Sequence, residues 1–288
     1  KKLKVCFLTF PFDFFLYSFL PSSKSSIFKP VIKSIFVQIT FLGTGTSQGV
    51  PVIACPCKVC QSDNLKDKRL RSSILIEVDD KTFVIDTGPD FRQQMLTAEV
   101  KKLDAVIFTH EHKDHTAGFD DVRAFNFINK KKMDVYASYR VQEAIRREFA
   151  YIFSDFKYPG IPEINLHLLE NTLTTIQGVD FIPIEVMHYK MSVFAFRVGD
   201  FTYITDANFI SETEKEKIKG SKVIVVNALR REQHISHYTF QQAIDLMNEL
   251  KPEKAYFTHI SHQLGLYDEV EIELPDFISL AYDGLKIQ

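Results

Sequence analysis

The stretch Ala105-Val106-Ile107-Phe108-Thr109-His110-Glu111-His112-Lys113-Asp114-His115 determines how the rest of the chain is interpreted. It opens as a short apolar strand and continues into metal-ligating side chains. Because alternate residues of an extended chain point the same way, His110 and His112 can share one ion. Asp114 and His115 lie beyond the following turn and point elsewhere, toward a second ion. Imidazole and carboxylate together suit zinc or a similar divalent metal.

Further residues of the same kind stand just past predicted strands. They are Asp86 after the strand at 82–85, His188 after 179–184, Asp206 after 202–205 and His259 after 255–258. A lone histidine at a strand end is usually a hydrogen-bonded surface residue, and Asp86 before Thr87-Gly88 can simply form a turn. Proteins nevertheless build sites from the loops at strand ends, so these four are candidate site residues.

Three of the four cysteines, Cys55, Cys57 and Cys60, fall within six residues. An odd, tight cluster indicates a metal in a reducing compartment rather than disulfides, so the sequence predicts a cytoplasmic protein. Tetrahedral zinc needs a fourth ligand, and unrelated reduced thiols are the alternative.

The hydrophobic pattern predicts mostly strands in the first part of the chain and alternating strands and helices later. The predicted strands are 35–42, 73–78, 82–85, 105–108, 134–137, 172–176, 179–184, 192–198, 202–205, 222–227 and 255–258, and the helices are 139–153, 211–219 and one from 239 to about 251. This order suits an α/β fold in which helices cover two mixed β-sheets.

Residues 1–34 differ from the rest of the 288-residue chain. They carry six Lys and one Asp, a charge of +5, which leaves −7 for residues 35–288. Pro11 and Asp13 interrupt the aromatic run at 5–20, and no cleavage pattern of a signal peptide follows. We predict a disordered or non-native extension at 1–34, with a targeting segment as the alternative, and one folded domain at 35–288. The acidic domain predicts no nucleic-acid binding, and we expect no membrane span.

The segment His110–His115, followed in order by a His, an Asp and a His, resembles the H-x-H-x-D-H motif of the metallo-β-lactamase superfamily. The resemblance covers residues 35–288 and implies an αβ/βα sandwich with a two-metal site at one edge. It implies one metal held by His110, His112 and His188, and a second held by Asp114, His115 and His259, with Asp206 bridging them. It also implies that Asp86 orients ligands through hydrogen bonds.

Within that superfamily, the segments 43–51, 55–60 and 258–262 resemble the phosphoribosyl 1,2-cyclic phosphate phosphodiesterases of phosphonate degradation. This resemblance implies a structural zinc held by Cys55, Cys57, Cys60 and His262. The glycine loop at 43–49 is not a dinucleotide fingerprint. It is either a tight turn lining the site or a direct contact to phosphate.

His237, in His237-Tyr238-Thr239, resembles the H-x-T element that ribonuclease Z and the cyclic phosphodiesterases place beside their metals. The resemblance implies that His237 donates a proton to the leaving oxygen. His234 competes for this role, and helix capping is the structural alternative.

Together these observations predict a hydrolase with two zinc or manganese ions and one structural zinc. A metal-bridging hydroxide attacks a small, cyclic phosphodiester, and the catalytic residues are His237, Asp114 and Asp206. A ribonuclease Z-like nuclease, a thioester or lactone hydrolase, and a non-enzymatic metal-binding module are the alternatives. A homodimer is left open.

Overall fold

Two seven-stranded mixed sheets form the centre of the protein in the computed structural model, which describes residues 37–156 and 158–288. The predicted extension at 1–34 lies outside the described residues. The strands are β1 (Val37–Gly43), β2 (Ser73–Val78), β3 (Lys81–Ile85), β4 (Ala105–Ile107), β5 (Met133–Ala137), β6 (Ile164–Leu168), β7 (Thr174–Ile176), β8 (Val179–His188), β9 (Met191–Val198), β10 (Phe201–Tyr203), β11 (Val223–Asn227), β12 (Lys254–Thr258), β13 (Ile278–Leu280) and β14 (Lys286–Ile287).

The two sheets divide the chain almost in half. The first has the order β14-β1-β2-β3-β4-β5-β6 and the second the order β13-β12-β11-β10-β9-β8-β7. In the first sheet, β3 to β6 run parallel to one another. In the second, β10 to β13 do the same. Parallel strands place their carboxyl ends at one edge, so the loops that follow them are brought together.

Helices cover the outer faces of the sheets. They are α1 (Phe91–Thr97), α2 (Lys113–Thr116), α3 (Arg123–Asn129), α4 (Tyr139–Glu148), α5 (Ala150–Phe153), α6 (Glu212–Ile218), α7 (Phe240–Leu250) and α8 (Tyr267–Glu271). Helix α7 starts in a complete capping box, in which Thr239 and Gln242 each satisfy the other's backbone N–H.

Three apolar layers hold the sandwich together. The middle layer joins the sheets through buried aromatic side chains, such as Phe83 and Phe181, whose rings meet edge to face at 5.1 Å. One outer layer packs residues of α1, α3 and α4 against the first sheet, and the other packs α7 against the second. A buried Phe contributes about 1.5–3 kcal/mol, so these layers dominate the stability. The predicted αβ/βα sandwich is confirmed.

Several local predictions were wrong in instructive ways. The helix predicted at 139–153 is two helices, because Phe149 leaves the helical conformation (φ −113°, ψ 42°) while its ring packs against Phe119. The pattern Ser211-x-x-Glu214 predicts a capping box at α6. Ser211 does cap the backbone N–H of Glu214, but the Glu214 carboxylate accepts from the Glu185 N–H instead. Strands β6, β13 and β14 were missed altogether.

The helices within 37–156 and 158–288 include none that is long and apolar enough to span a membrane.

Candidate metal centre

All the predicted active-site ligands come together where strands from both sheets end. Two groups of potential ligand atoms form, each with its atoms within 4.8 Å of one another. The first group is His110, His112 and His188, and the second is Asp114, His115, Asp206 and His259. Asp206 also belongs to a third such group, with His188 and His237. One carboxylate therefore lies between the two groups, as a bridging residue must.

A close backbone approach brings Asp114 and His115 to this position. They lie in the single turn α2, which directly follows His112. The backbone N–H of Thr87 donates to the His115 carbonyl at 2.8 Å. A Cβ at Gly88 would lie 2.1 Å from the Asp114 carbonyl oxygen, so only glycine fits there. The segment Ile85–Gly88 thus fixes the second half of the histidine motif.

Three site residues hold strained backbone conformations. Asp86, Asp206 and His259 have φ of 66°, 56° and 55°. A non-glycine residue in the left-handed region costs about 1–2 kcal/mol, and strain of this kind clusters at functional sites. All three follow the ends of core strands, so the sheets hold them in place and direct their side chains into the site.

Asp86 is fully buried and organises two of the histidines. Its Oδ1 accepts the Thr109 N–H at 2.9 Å, and its Oδ2 accepts the Thr109 hydroxyl at 2.8 Å and the His115 Nδ1–H at 2.7 Å. Because that hydroxyl proton goes to Asp86, the Thr109 oxygen accepts from His110 Nδ1, 3.0 Å away. Both rings are therefore left with a free lone pair on Nε2.

His188 is oriented in the same way by a backbone carbonyl. Its Nδ1 donates to the Ser236 carbonyl oxygen at 2.9 Å, which leaves Nε2 as the free nitrogen. The His110 Nε2 lies 3.1 Å from His112 Nδ1. The three rings are arranged with their centroids 4.6–5.5 Å apart, so their free nitrogens converge on one position.

The buried His115 Nε2 tests whether these residues fit a metal. This atom has no hydrogen-bond partner within the described part of the chain. It nevertheless lies 3.1 Å from a carboxylate oxygen of Asp114 and 3.2 Å from one of Asp206. An imidazole lone pair facing two carboxylates is repulsive unless a cation lies among them. The donor set therefore fits a divalent metal.

The electrostatics of the metal-free protein agree with this interpretation. Burial opposes a charge on His115, but Asp114, Asp206 and Asp86 outweigh it and raise the pKa of His115 well above its usual value. These carboxylates therefore favour positive charge at this position, as a metal site requires. Burial lowers the pKa of His110 well below its usual value and that of His259 to about 4, so both stay neutral, as metal ligands must.

His237 lies against Asp206 at the edge of the ligand groups. Its Nε2 is 3.0 Å from Asp206 Oδ1, while its Nδ1 is 3.0 Å from both the Ser236 hydroxyl and His234 Nδ1. Its ring also stacks on His259, with centroids 4.9 Å apart. The competing histidine, His234, therefore lies behind His237, further from the predicted metal ligands. Its neighbours allow His237 to act either as the predicted proton donor or as a ligand.

The predicted structural zinc residues form a separate cluster. The four ligand atoms of Cys55, Cys57, Cys60 and His262 lie within 4.8 Å of one another. The His262 Nδ1 is 3.4 Å from Cys55 Sγ and 3.3 Å from Cys57 Sγ. The hydrogen bond between His262 and Cys57 lowers the pKa of Cys57 to about 6, whereas burial raises the pKa of Cys60 to about 11. Three thiols and one imidazole in this arrangement fit tetrahedral zinc.

The glycine loop at 43–49 packs against the segment that carries His259 and His262. A Cβ at Gly43 would lie 2.0 Å from the Arg71 carbonyl oxygen, and Gly45 pairs with both Arg71 and Ile260. Ile260 lies between the predicted ligands His259 and His262. These backbone contacts agree with the tight-turn interpretation of the loop.

Sequence reasoning missed several residues that shape the centre. Thr109 and Ser236 each precede a residue that was singled out, but their spacing gave no hint of the hydrogen bonds they form. Arg140, Tyr189 and Lys190 line a cavity beside the histidines, and only their charge or aromatic character could have drawn attention to them.

Fold and site together define the class of protein. A family model described as a beta-lactamase superfamily domain matches residues 81–260, so the chain belongs to the metallo-β-lactamase superfamily. Members of this superfamily are generally hydrolases.

The chain is also similar to individual proteins of known structure. The chain is 36% identical to a crystal structure described as a new diphosphatase from the PhnP family, with a TM-score of 0.83 over 88% of this chain and 98% of that one. Zn²⁺-bound PqqB from Methylobacterium extorquens shares the fold at 18% identity, with a TM-score of 0.70 over 87% of this chain and 99% of that one.

A curated relative has a different kind of name. An octanoyltransferase of Porphyromonas gingivalis (strain ATCC BAA-308 / W83) is 38% identical over 253 residues, which are 87% of this chain and 51% of the relative. The chain therefore spans about half the length of that protein.

Proposed function

We propose that this protein is a two-metal phosphodiesterase that hydrolyses a small, cyclic phosphodiester. The observation that carries the proposal is the pair of neighbouring ligand groups, with Asp206 of the second group also within 4.8 Å of the His188 ligand atom of the first. Two ions held by these residues would supply positive charge that suits a phosphate group. The 36% identity to a PhnP-family diphosphatase supports phosphorus chemistry.

The predicted ligands would hold two metal ions in two sets. His110, His112 and His188 would hold one ion, Asp114, His115 and His259 the other, and Asp206 both. Two zinc or manganese ions would supply a hydroxide nucleophile at neutral pH and neutralise charge on the phosphate oxygens.

The neighbouring side chains hold these ligands and move a proton. Asp86 keeps His115 in one tautomer, and through Thr109 it does the same for His110. His237 donates its Nε2–H to Asp206 in the metal-free protein, so it carries a proton beside the site. We propose that it gives this proton to the departing ester oxygen.

Cys55, Cys57, Cys60 and His262 would hold a third ion, a structural zinc. Because Ile260 ties the loop of His259 and His262 to the glycine loop by backbone hydrogen bonds of 2.8 and 3.1 Å, the zinc would stabilise one side of the active site. Its role is therefore to support the fold.

A diphosphate is a second candidate substrate, since the 36% identical neighbour is described as a diphosphatase. The same residues could serve it, because the ions they would hold would supply the nucleophile and the positive charge that hydrolysis of either substrate needs.

We propose a small molecule rather than a nucleic acid as the partner. The basic run Lys130–Lys132 only connects α3 to β5, with Lys130 in the left-handed conformation that ends α3. It does not form an arm that could hold RNA. The three thiols favour a reducing compartment, such as the cytoplasm.

Substrate preference tests the proposal. Chelator-stripped full-length protein is reloaded with zinc or manganese and assayed with bis(p-nitrophenyl) phosphate, ribose 1,2-cyclic phosphate, an alkyl diphosphate, an octanoyl thioester and a lactone. The proposal expects turnover of the phosphodiesters and its loss in His110→Ala. Preference for the diphosphate supports the second candidate, and preference for the thioester or lactone contradicts both.

A further inference from the structure

We infer that His234 is a positioning residue for the proposed proton donor: its Nδ1 accepts a hydrogen bond from His237 Nδ1 and so keeps a proton on that nitrogen. The inference rests on the proposed function, because it explains how His237 presents its other nitrogen, Nε2, to the departing oxygen. It also gives separate roles to the two histidines that compete in the sequence.

The direction of the hydrogen bond between the two rings follows from the backbone. The Nδ1 atoms of His234 and His237 lie 3.0 Å apart, so one of them must carry a proton. The backbone N–H of Ser236 donates to His234 Nδ1 at 3.3 Å. Because a backbone N–H can only donate, His234 Nδ1 is an acceptor, and the proton between the rings belongs to His237.

The surroundings of His234 keep it a neutral acceptor. Burial, together with the neighbouring His237 and Arg230, lowers the pKa of His234. A neutral imidazole carries one proton, and since Nδ1 accepts, that proton is on Nε2. The rings of His234 and His237 are tilted by 54° with their centroids 4.9 Å apart, so their contact is a hydrogen bond between ring atoms and not a stack.

The loop that carries both histidines is held on either side of His234. Arg230 donates from Nη2 to the Gln233 carbonyl oxygen at 3.2 Å. Asn208 donates from Nδ2 to the Ile235 carbonyl oxygen at 3.3 Å. These contacts fix the backbone around His234, so its accepting nitrogen stays beside His237.

A proton fixed on Nδ1 determines what the Nε2 of His237 can do. This Nε2 donates to Asp206 at 3.0 Å in the metal-free protein. When the Nε2 proton passes to the departing ester oxygen, the electron pair of the broken P–O bond binds it, and His237 is left neutral with its Nδ1–H. Without His234, the Ser236 hydroxyl, 3.0 Å from His237 Nδ1, can donate to that atom instead. His237 would then begin the reaction as a neutral ring, which is a weaker acid.

Two replacements of His234 separate the accepting atom from the ring. Ser236 follows His234 by two residues, the spacing at which an Asn side chain accepts a backbone N–H in an Asx turn. His234→Asn therefore keeps an acceptor at this position, whereas His234→Leu keeps the bulk and removes the acceptor. His167→Leu is the control, since His167 lies on edge strand β6 and is hydrogen-bonded to Asp134.

The loss of activity in His234→Leu should depend on the leaving group. With metal-reloaded full-length protein, kcat/KM for ribose 1,2-cyclic phosphate and for diphenyl phosphate should fall about 10–100-fold, the value of one hydrogen bond to a charged group. Bis(p-nitrophenyl) phosphate should change less than about threefold, because its leaving group hardly needs a proton. His234→Asn and His167→Leu should stay within about threefold of the wild type for every substrate. Metal content should be unchanged in all variants.

A double variant tests whether His234 acts through His237. His234→Leu should lower the turnover of ribose 1,2-cyclic phosphate no further in protein that already carries His237→Ala. The hydrogen bond itself is measured in metal-free protein by nitrogen NMR with isotopically labelled histidine. His237 Nδ1 should be protonated in the wild type and in His234→Asn, and unprotonated in His234→Leu.

The outcomes distinguish the inference from the proposed function. Equal losses for good and poor leaving groups, the full loss in His234→Asn, loss of metal, or additive effects in the double variant would overturn the inference and leave the phosphodiesterase proposal in place. If the wild type turns over no phosphodiester, the proposed function fails, and the NMR measurement still decides the inference. A His237 Nδ1 that stays protonated in His234→Leu contradicts it.

Discussion

Thr109 shows how one small side chain fixes the protonation of two rings. Its hydroxyl donates to Asp86 and accepts from His110, while Asp86 accepts from His115. This chain of hydrogen bonds is buried, so each member costs free energy if its partner is removed. Two potential metal ligands thus depend on a residue that binds no metal itself.

A matched pair of variants tests this dependence. Thr109→Val keeps the shape but removes the hydroxyl, so we expect metal affinity to fall by about 10–100-fold, measured by chelator competition. Thr109→Ser keeps the hydroxyl and should retain most of the affinity. Equal affinities in both variants would contradict the orienting role.

Kinetic measurements can distinguish a proton-donating role of His237 from a metal-binding role. If His237 is the proton donor, His237→Ala should lower turnover by about 10²–10⁴-fold and leave the metal content unchanged. The loss should be smaller for bis(p-nitrophenyl) phosphate, whose leaving group hardly needs a proton. Loss of metal from His237→Ala would instead identify it as a ligand, which its contact with Asp206 also allows.

At the scale of elements, prediction succeeded where local chemistry decided the outcome. The hairpin β2–β3, the capped helix α7 and the short strands before each candidate ligand follow from patterns within the segments themselves. Prediction failed where tertiary contacts decided the outcome. Phe149 leaves the helical conformation at a point where its ring packs against Phe119, and Arg140 and Lys190 line one cavity only because of the fold.

Asp283 in the C-terminal segment is a buried carboxyl that contacts the glycine loop and the segment before β2. Asp283 accepts the Thr44 hydroxyl at 2.7 Å and the Leu70 N–H at 2.6 Å, close to the buried Arg69. Burial nevertheless raises the pKa of Asp283 to about 6. Between about pH 4 and pH 6 the folded protein therefore holds a proton that the unfolded chain has lost.

Asp283 therefore predicts a pH-dependent stability of a definite sign. Because the folded pKa exceeds the unfolded value, the contribution of Asp283 to stability falls as pH rises from about 4 to about 6. Relative to Asp283→Asn, the wild type should gain about 2 kcal/mol between pH 7 and pH 4.5. Denaturant unfolding of both metal-free proteins at the two pH values measures this. A difference that does not change, or that changes in the opposite direction, would show that Arg69 dominates.

For the whole molecule, the histidine motif predicted the sandwich through its resemblance to the metallo-β-lactamase superfamily, and the order of strands and helices agreed with it. The strands before His188, Asp206 and His259 could also be found, since each is a short apolar run. The sequence did not reveal how two sheets bring these distant residues together. That depends on the packing of aromatic residues such as Phe83 and Phe181 between the sheets.

The cysteine cluster should matter for the stability of the whole domain. Cys57→Ser should lower the melting temperature and lose one zinc, with activity falling only as a consequence, because a closed tetrahedral site stabilises the folded state. His110→Ala should have the opposite pattern, losing activity while the fold persists. Thermal unfolding with metal analysis measures both, and a Cys57→Ser protein as heat-stable as the wild type would contradict the structural role.

The most direct test of the two-metal phosphodiesterase is a metal titration. Mild chelation should leave about one tightly held zinc per chain, and turnover of bis(p-nitrophenyl) phosphate should return as about two equivalents of manganese are added. Turnover that is complete before manganese is added, or that saturates at one equivalent, would contradict the account.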